Sequence, residues 1–224
     1  MIEPGPAIDL VIFDCDGVLV DSEGLSAQVL LSELTDLGLD LDFDYFCANF
    51  LGRSFPTVAQ DIRRSFDIIL PDTFEQTYRA RLLTAFEAGL APTAGVVDMV
   101  GKLAVPYCVA TSSSPQRANN SLRIVGLGGP FGANVFTASE VARGKPAPDL
   151  FLHAAGRMGV APARCLVIED SLPGIAAAVA ADMPVLRYTG GAHLRDRVLR
   201  HPPEVRTFDN WAELFVLVPS LQGR

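Results

Sequence analysis

The chain has 224 residues, 49% of them hydrophobic and 20% charged, which allows one large domain or two modest ones around a substantial core. Its 26 acidic residues against 18 Lys and Arg give a net charge of −8 and an isoelectric point near 4.8. That balance argues against nucleic acid or an anionic membrane as partner, because both select basic patches. No apolar run approaches the ~20 residues that a bilayer span needs.

The opening residues, MIEPGPAID, lack a basic start followed by an apolar stretch, so they read as no secretory signal. The first strand is DLVIFD (9–14), an apolar run that ends directly in the acidic elbow Asp14–Cys15–Asp16–Gly17. The next apolar strand lies more than ninety residues on, too far for a single crossover helix. The interval carries helical patterns over Glu23–Leu37, Phe55–Phe66 and Thr73–Ala88, with Leu25, Val29 and Leu34 at helical spacing. Residues 20–90 are therefore expected to form an inserted helical domain, with GLAPTAG (89–95) as the return hinge and residues 1–19 plus 91–224 as the core domain.

Strand and helix then alternate. Strands are expected at PYCVATS (106–112), NVFTA (134–138), RCLVIED (164–170) and PVLRY (184–188). Helices are expected at 115–126, 148–159 and 172–182. Short, nearly continuous apolar runs of this kind belong to parallel strands covered on both faces. The fold class is α/β, a doubly wound parallel sheet. Of the four cysteines, Cys15, Cys108 and Cys165 fall in or beside strands and Cys47 in the insert, which implies reduced thiols in a cytoplasmic protein and not disulfides or a zinc site.

In such sheets ligands gather at the carboxyl ends of the strands. After the first strand come Asp14 and Asp16; after the second, Thr111, Ser112, Ser113 and Ser114; near the fourth, Lys145 in GKPAPD; at its end, Glu169 and Asp170. A carboxylate that attacks an anionic phosphate needs a cation and positive donors to cancel the repulsion. Clustered hard oxygens suit Mg²⁺. Asp14 is then the nucleophile, and Asp16 protonates the leaving oxygen and later deprotonates water. Thr111 and the backbone amides behind it form a phosphate cradle at a helix start capped by Ser114 and Pro115. Lys145 neutralises phosphate and nucleophile together.

The segments DCDGVLVDSE, VATSSS, GKPAPDLF and VIEDSLPGI resemble the four motifs of the haloacid dehalogenase-like hydrolases. The closest branch contains β-phosphoglucomutase, phosphoglycolate phosphatase and related sugar phosphatases. The resemblance implies Asp14 as nucleophile and Asp16 as general acid/base. It implies Mg²⁺ held by Asp14, the Asp16 carbonyl and Asp170, with Glu169 a ligand or a partner of one. Thr111 and Lys145 match phosphate-binding positions, with Ser112 and Ser113 in the same loop. The insert corresponds to the family's cap, and Arg53 in its NFLGRSFP loop is positioned to grip a second anionic group of the substrate. The expected partner is a small phosphorylated metabolite.

Competing readings are weaker. Receiver domains also take phosphate on an aspartate, but they are shorter and lack the insert. Dehalogenases of the family work without a metal, and phosphonatases use a cap lysine, whereas residues 20–90 contain no Lys. β-Phosphoglucomutase-like proteins carry a cap histidine where Ser26 stands here, which favours hydrolysis over phosphoryl transfer to a sugar. Cys15 should point away from the site, and His153 reads as structural or surface. His193 and His201, in polar connecting segments, carry no argument.

Overall fold

The computed structural model of the protein describes residues 7–66, 68–195 and 202–223; the first six residues and His201 lie outside the described residues. β1 (Leu10–Phe13) is wholly buried. It pairs in parallel with β2 (Tyr107–Thr111) on one side and β4 (Cys165–Glu169) on the other. β3 (Val135–Thr137) lies beyond β2, while β5 (Val185–Tyr188) and β6 (Arg206–Phe208) lie beyond β4, in the order β3-β2-β1-β4-β5-β6. Every pairing is parallel. The strand order reverses between β1 and β4, and a crevice opens there at the carboxyl ends.

Period-two alternation along β1 sends its side chains to two apolar clusters. Val11 and Phe13 join one cluster; Leu10 and Ile12 join the other. The second cluster is closed by Phe151, Ala154, Ala177 and Ala178, from α8 (Asp149–Met158) and α9 (Leu172–Ala180). On the first face lie α6 (Pro115–Ile124), α7 (Gly128–Phe131) and α10 (Trp211–Leu217), whose Phe131 and Trp211 set their rings 6.0 and 6.1 Å from that of Phe13. α5 (Val96–Val100) leads into β2.

Between β1 and β2 run four helices: α1 (Glu23–Asp36), α2 (Phe43–Asn49), α3 (Phe55–Ser65) and α4 (Phe74–Gly89). α1 packs against α4, and Phe55 stacks on Tyr78 with ring centres 4.8 Å apart. Their apolar residues, among them Leu30, Phe46, Tyr78 and Phe86, belong to the same cluster as Val11 and Phe13. The chain enters and leaves the insert through paired backbone, an antiparallel bridge between Val20 and Pro92. Thr93 Oγ1 donates to Val18 O at 2.6 Å and accepts from Trp211 Nε1 at 3.0 Å.

The five expected strands and six expected helices are present. Not foreseen were α2, whose cap Asp42 accepts from Tyr45 N at 2.7 Å, the short helices α5 and α7, and the C-terminal pair β6 and α10. β6 is an edge strand with two of its three residues exposed, so it offers no apolar run to read.

Candidate active site

The register of β1 places the first acid. Asp14 N donates to Ile168 O at 2.9 Å, so sheet pairing continues one residue past β1 and fixes Asp14 at the strand end. Cys15 turns into the core, fully buried, and Asp16 faces the crevice. Gly17 makes the turn possible: its φ is +77°, and a Cβ there would come within 2.2 Å of Asp170 Oδ2.

Lys145 reaches the same place from the loop before α8. Its side chain is 1% exposed, and Nζ donates to Asp14 Oδ1 at 2.6 Å and Glu169 Oε1 at 2.7 Å. Glu169 Oε2 accepts from the backbone of Asp170 and Ser171 at 2.8 Å each and from Ser171 Oγ at 2.9 Å. Both of its oxygens thus hold protein donors, fixing the β4–α9 turn and the lysine. Carboxylate oxygens of Asp14, Glu169 and Asp170 lie within 4.8 Å of one another, all buried.

Asp16 is surrounded differently. Ser22 Oγ and Arg117 Nη2 donate to its Oδ1, each at 2.6 Å, and Ser113 Oγ donates to its Oδ2 at 2.5 Å. Thr111 is buried at the end of β2, its hydroxyl accepting from Ser113 N at 3.1 Å. Ser114 caps α6, with Pro115 in its first turn. Ser112 Oγ donates across to Gly52 O in the insert at 3.1 Å. There the insert comes down tightly: a Cβ on Gly52, whose φ is +73°, would lie 2.3 Å from Ser171 Oγ. All the strand-end residues read from the sequence are therefore brought together. In this structure the hydroxyls of Ser112 and Ser113 are engaged by Gly52 and Asp16.

Burial raises the carboxyl of Asp14 well above its ordinary range; the negative charges of Glu169, Asp170 and Asp16 add to this, and Lys145 only partly opposes it. Burial and Glu169 do the same to Asp170. Burial would also raise Asp16, but Arg117 and the hydrogen bonds of Ser113 and Ser22 carry it below its ordinary value. Lys145 is held firmly protonated, because Asp14 and Glu169 outweigh its desolvation. An all-oxygen cluster with more buried negative charge than its lysine cancels fits a hard divalent cation.

Two adjoining cavities lie between the strand ends and the insert. The inner one, about 50 Å³, is lined by Asp14, Asp16, Glu23, Thr111 and Arg117. The outer one, about 210 Å³, runs between α3, α4 and the start of α6, lined by Phe55, Tyr78, Arg79, Gln116 and Ser139. Arg53 borders both, where its guanidinium also pairs with Asp61.

Sequence reasoning missed Ser22, Glu23, Arg117 and His193. Arg117 follows the cap Ser114 by three residues, so helical spacing aims it back over the first turn, a signal that was available. His193 corrects the reading that assigned it nothing: its side chain is fully buried, with Nε2 2.8 Å from Asp170 Oδ2. His153 matches expectation, half-buried against Glu140 and the edge of Phe136. The cysteines are free, and no helix among the described residues is long and apolar enough to cross a membrane.

A doubly wound sheet with an acidic cluster, a buried lysine and a capped helix start at its switch point defines a class. Residues 8–182 match the model of the haloacid dehalogenase-like hydrolases, and the chain belongs to that family of enzymes. It is 27% identical to 6-phosphogluconate phosphatase of Escherichia coli (strain K12), over 92% of this chain and 93% of that protein. It is 35% identical to fructose-1-phosphate phosphatase of the same organism, over 77% and 92%. Among solved structures, a family hydrolase of Deinococcus radiodurans R1, with bound phosphate and sodium, superposes with a TM-score of 0.72 at 32% identity, covering 95% of this chain and 96% of that one.

Proposed function

We propose that the protein is a Mg²⁺-dependent phosphatase that hydrolyses a small phosphomonoester, a sugar phosphate or similar metabolite, through an aspartyl phosphate on Asp14. The observation that carries this reading is the convergence of three segments: Asp14 and Asp16 line the inner cavity, Lys145 donates to Asp14 from behind it, and Asp170 joins Asp14 in the buried acidic cluster. Relatives that act on 6-phosphogluconate and fructose 1-phosphate support the substrate class, and the phosphate and sodium in the Deinococcus hydrolase support a paired anion and cation site.

Asp14, the Asp16 carbonyl and Asp170 would hold the metal, which when bound supplies charge neutralisation between carboxylate and phosphate. Glu169, with both oxygens occupied by protein donors, acts here by holding Lys145 and the turn. Asp14 attacks phosphorus and the bond to the leaving oxygen breaks as Asp16 protonates that oxygen. Water then attacks the acyl phosphate, Asp16 takes its proton, and Asp14 is restored as phosphate departs. Asp16 is held anionic by Arg117 and two serines in this structure; an incoming phosphate dianion raises its proton affinity and equips it as the acid. Lys145 pairs with Asp14 and the transferring group, and Thr111 with the amides of Ser112 and Ser113 cradles the phosphate.

Residues 20–90 act as a cap over the core, with the backbone at Val20 and Pro92 as hinge, and Arg53 grips an anionic group at the far end of the substrate. The cytoplasm, with its small phosphorylated metabolites, is the expected location. Hydrolysis is favoured over a mutase reaction because Ser26 takes the cap histidine's place, where Arg117 Nη2 donates to its Oγ at 2.9 Å, and the insert has no Lys.

Phosphate release from p-nitrophenyl phosphate with and without Mg²⁺, then from a panel of sugar phosphates and nucleotides, tests the activity. Incubation with β-glucose 1-phosphate and a trace of the 1,6-bisphosphate separates the alternatives. Glucose 6-phosphate appearing faster than free phosphate would overturn hydrolysis in favour of the mutase.

A further inference from the structure

We propose that His193 is a positioning residue for Asp170: it engages Oδ2 from behind the acidic cluster and so presents the carboxylate's other oxygen for the divalent cation. This rests on the assignment of Asp170 as a metal ligand.

His193 lies in a short turn, Ala192–Leu194, just past β5, one strand away from Asp170. Its side chain is 0% exposed and that of Asp170 is 2%, so the contact, an ion-pair distance of 2.8 Å between Nε2 and Oδ2 that is not aligned as a hydrogen bond, is shielded from water. The turn is tied to the β1 end of the sheet, because Ala192 N donates to Asp21 Oδ1 at 3.1 Å. Space for the ring exists only because residue 17 is glycine: a Cβ there would lie 2.8 Å from His193 Cε1. Asp170 is also gripped through its main chain, Arg187 Nε donating to its carbonyl at 2.9 Å. Asp170 is thus clamped at both backbone and side chain by groups from β5 and the turn that follows it.

The chemistry favours this role over direct catalysis. The imidazole lines neither cavity, so it meets the reaction through Asp170. A ligating carboxylate free to rotate presents either oxygen or both, and an outer partner that holds one oxygen removes that freedom. Such partners are typically worth about 10–100-fold in metal affinity.

The test is Mn²⁺ and Mg²⁺ binding measured by isothermal titration calorimetry on the intact protein, with activity against metal concentration as a second readout. His193→Gln keeps a donor that reaches toward Oδ2; His193→Leu fills the space without one; near-ultraviolet circular dichroism checks that both fold. The Leu variant should bind metal about 10–100-fold more weakly, with turnover largely restored at saturating Mg²⁺, and Gln should recover most of the lost affinity. Wild-type affinity in the Leu variant, or equal losses in Leu and Gln, would overturn the proposal. Failure of Leu to fold leaves Gln as the decider: a loss as deep as about 10-fold there would also overturn it. Asp170→Ala runs alongside. If it binds metal like the wild type, the assignment of Asp170 itself fails, a result distinct from any failure of His193.

Discussion

Asp16 accepts three side-chain hydrogen bonds, from Ser22, Ser113 and Arg117, so its carboxylate is aimed before any substrate arrives. Replacing it with Asn keeps the shape and removes the proton carrier, and turnover should fall ~10²–10⁴-fold. Steady-state kinetics on an alkyl phosphate measures this; a loss below tenfold would take the acid/base role away from Asp16. Nearby Glu23 carries a different cost. Burial, reinforced by the charge of Asp16 and eased by Arg117 and His193, pushes its carboxyl up to about 8 from 4.5. Between those values the folded chain keeps a proton that the unfolded chain has released. Stability therefore falls as pH rises from about 4.5 to about 8 and levels off above. Glu23→Gln abolishes that penalty, so in EDTA its melting temperature should gain on the parent's progressively across this window. A gap that stays constant between pH ~5 and ~8 would show that Glu23 does not titrate this way.

At the level of elements, β1 to β5 were legible because each is a short apolar run followed by residues of chemical consequence. The chemistry was legible for the same reason: Asp14, Thr111 and Asp170 sit at strand ends, where chain order alone predicts convergence. β6 and α10 were not, because two of the three residues in Arg206–Phe208 are polar and the strand pairs with β5 at the edge of the sheet. Yet α10 bears on the core. Trp211 stacks on Tyr188 with ring centres 4.4 Å apart and holds Thr93 through its indole N–H. Trp211→Ala should cost ~3–5 kcal/mol in chemical denaturation, the usual range for a buried aromatic. A loss under ~1 kcal/mol would mean that the C-terminal helix packs on the sheet without supporting it. His193 lay beyond sequence reading because what matters is its proximity to Asp170, which only the folded sheet creates, whereas Arg117 was within reach through its spacing from the cap Ser114.

For the molecule as a whole, the sheet and its helical insert share one apolar cluster, and the two cavities lie along their seam. Motion of the insert about the Val20–Pro92 bridge would open the site, and closure would exclude water from the strand ends. On the proposed function, the outer cavity would select the leaving group, and the strand ends would run the same chemistry for any phosphomonoester that fits. The central claim is that Asp14 receives the phosphoryl group with the help of a divalent metal. The most direct test compares Mg²⁺-dependent phosphate release by the wild type and by Asp14→Asn, each with and without EDTA. The account predicts turnover only for the wild type with Mg²⁺, with Asp14→Asn folded by circular dichroism yet inactive. Substantial phosphate release by Asp14→Asn, or full wild-type activity in EDTA, would contradict it.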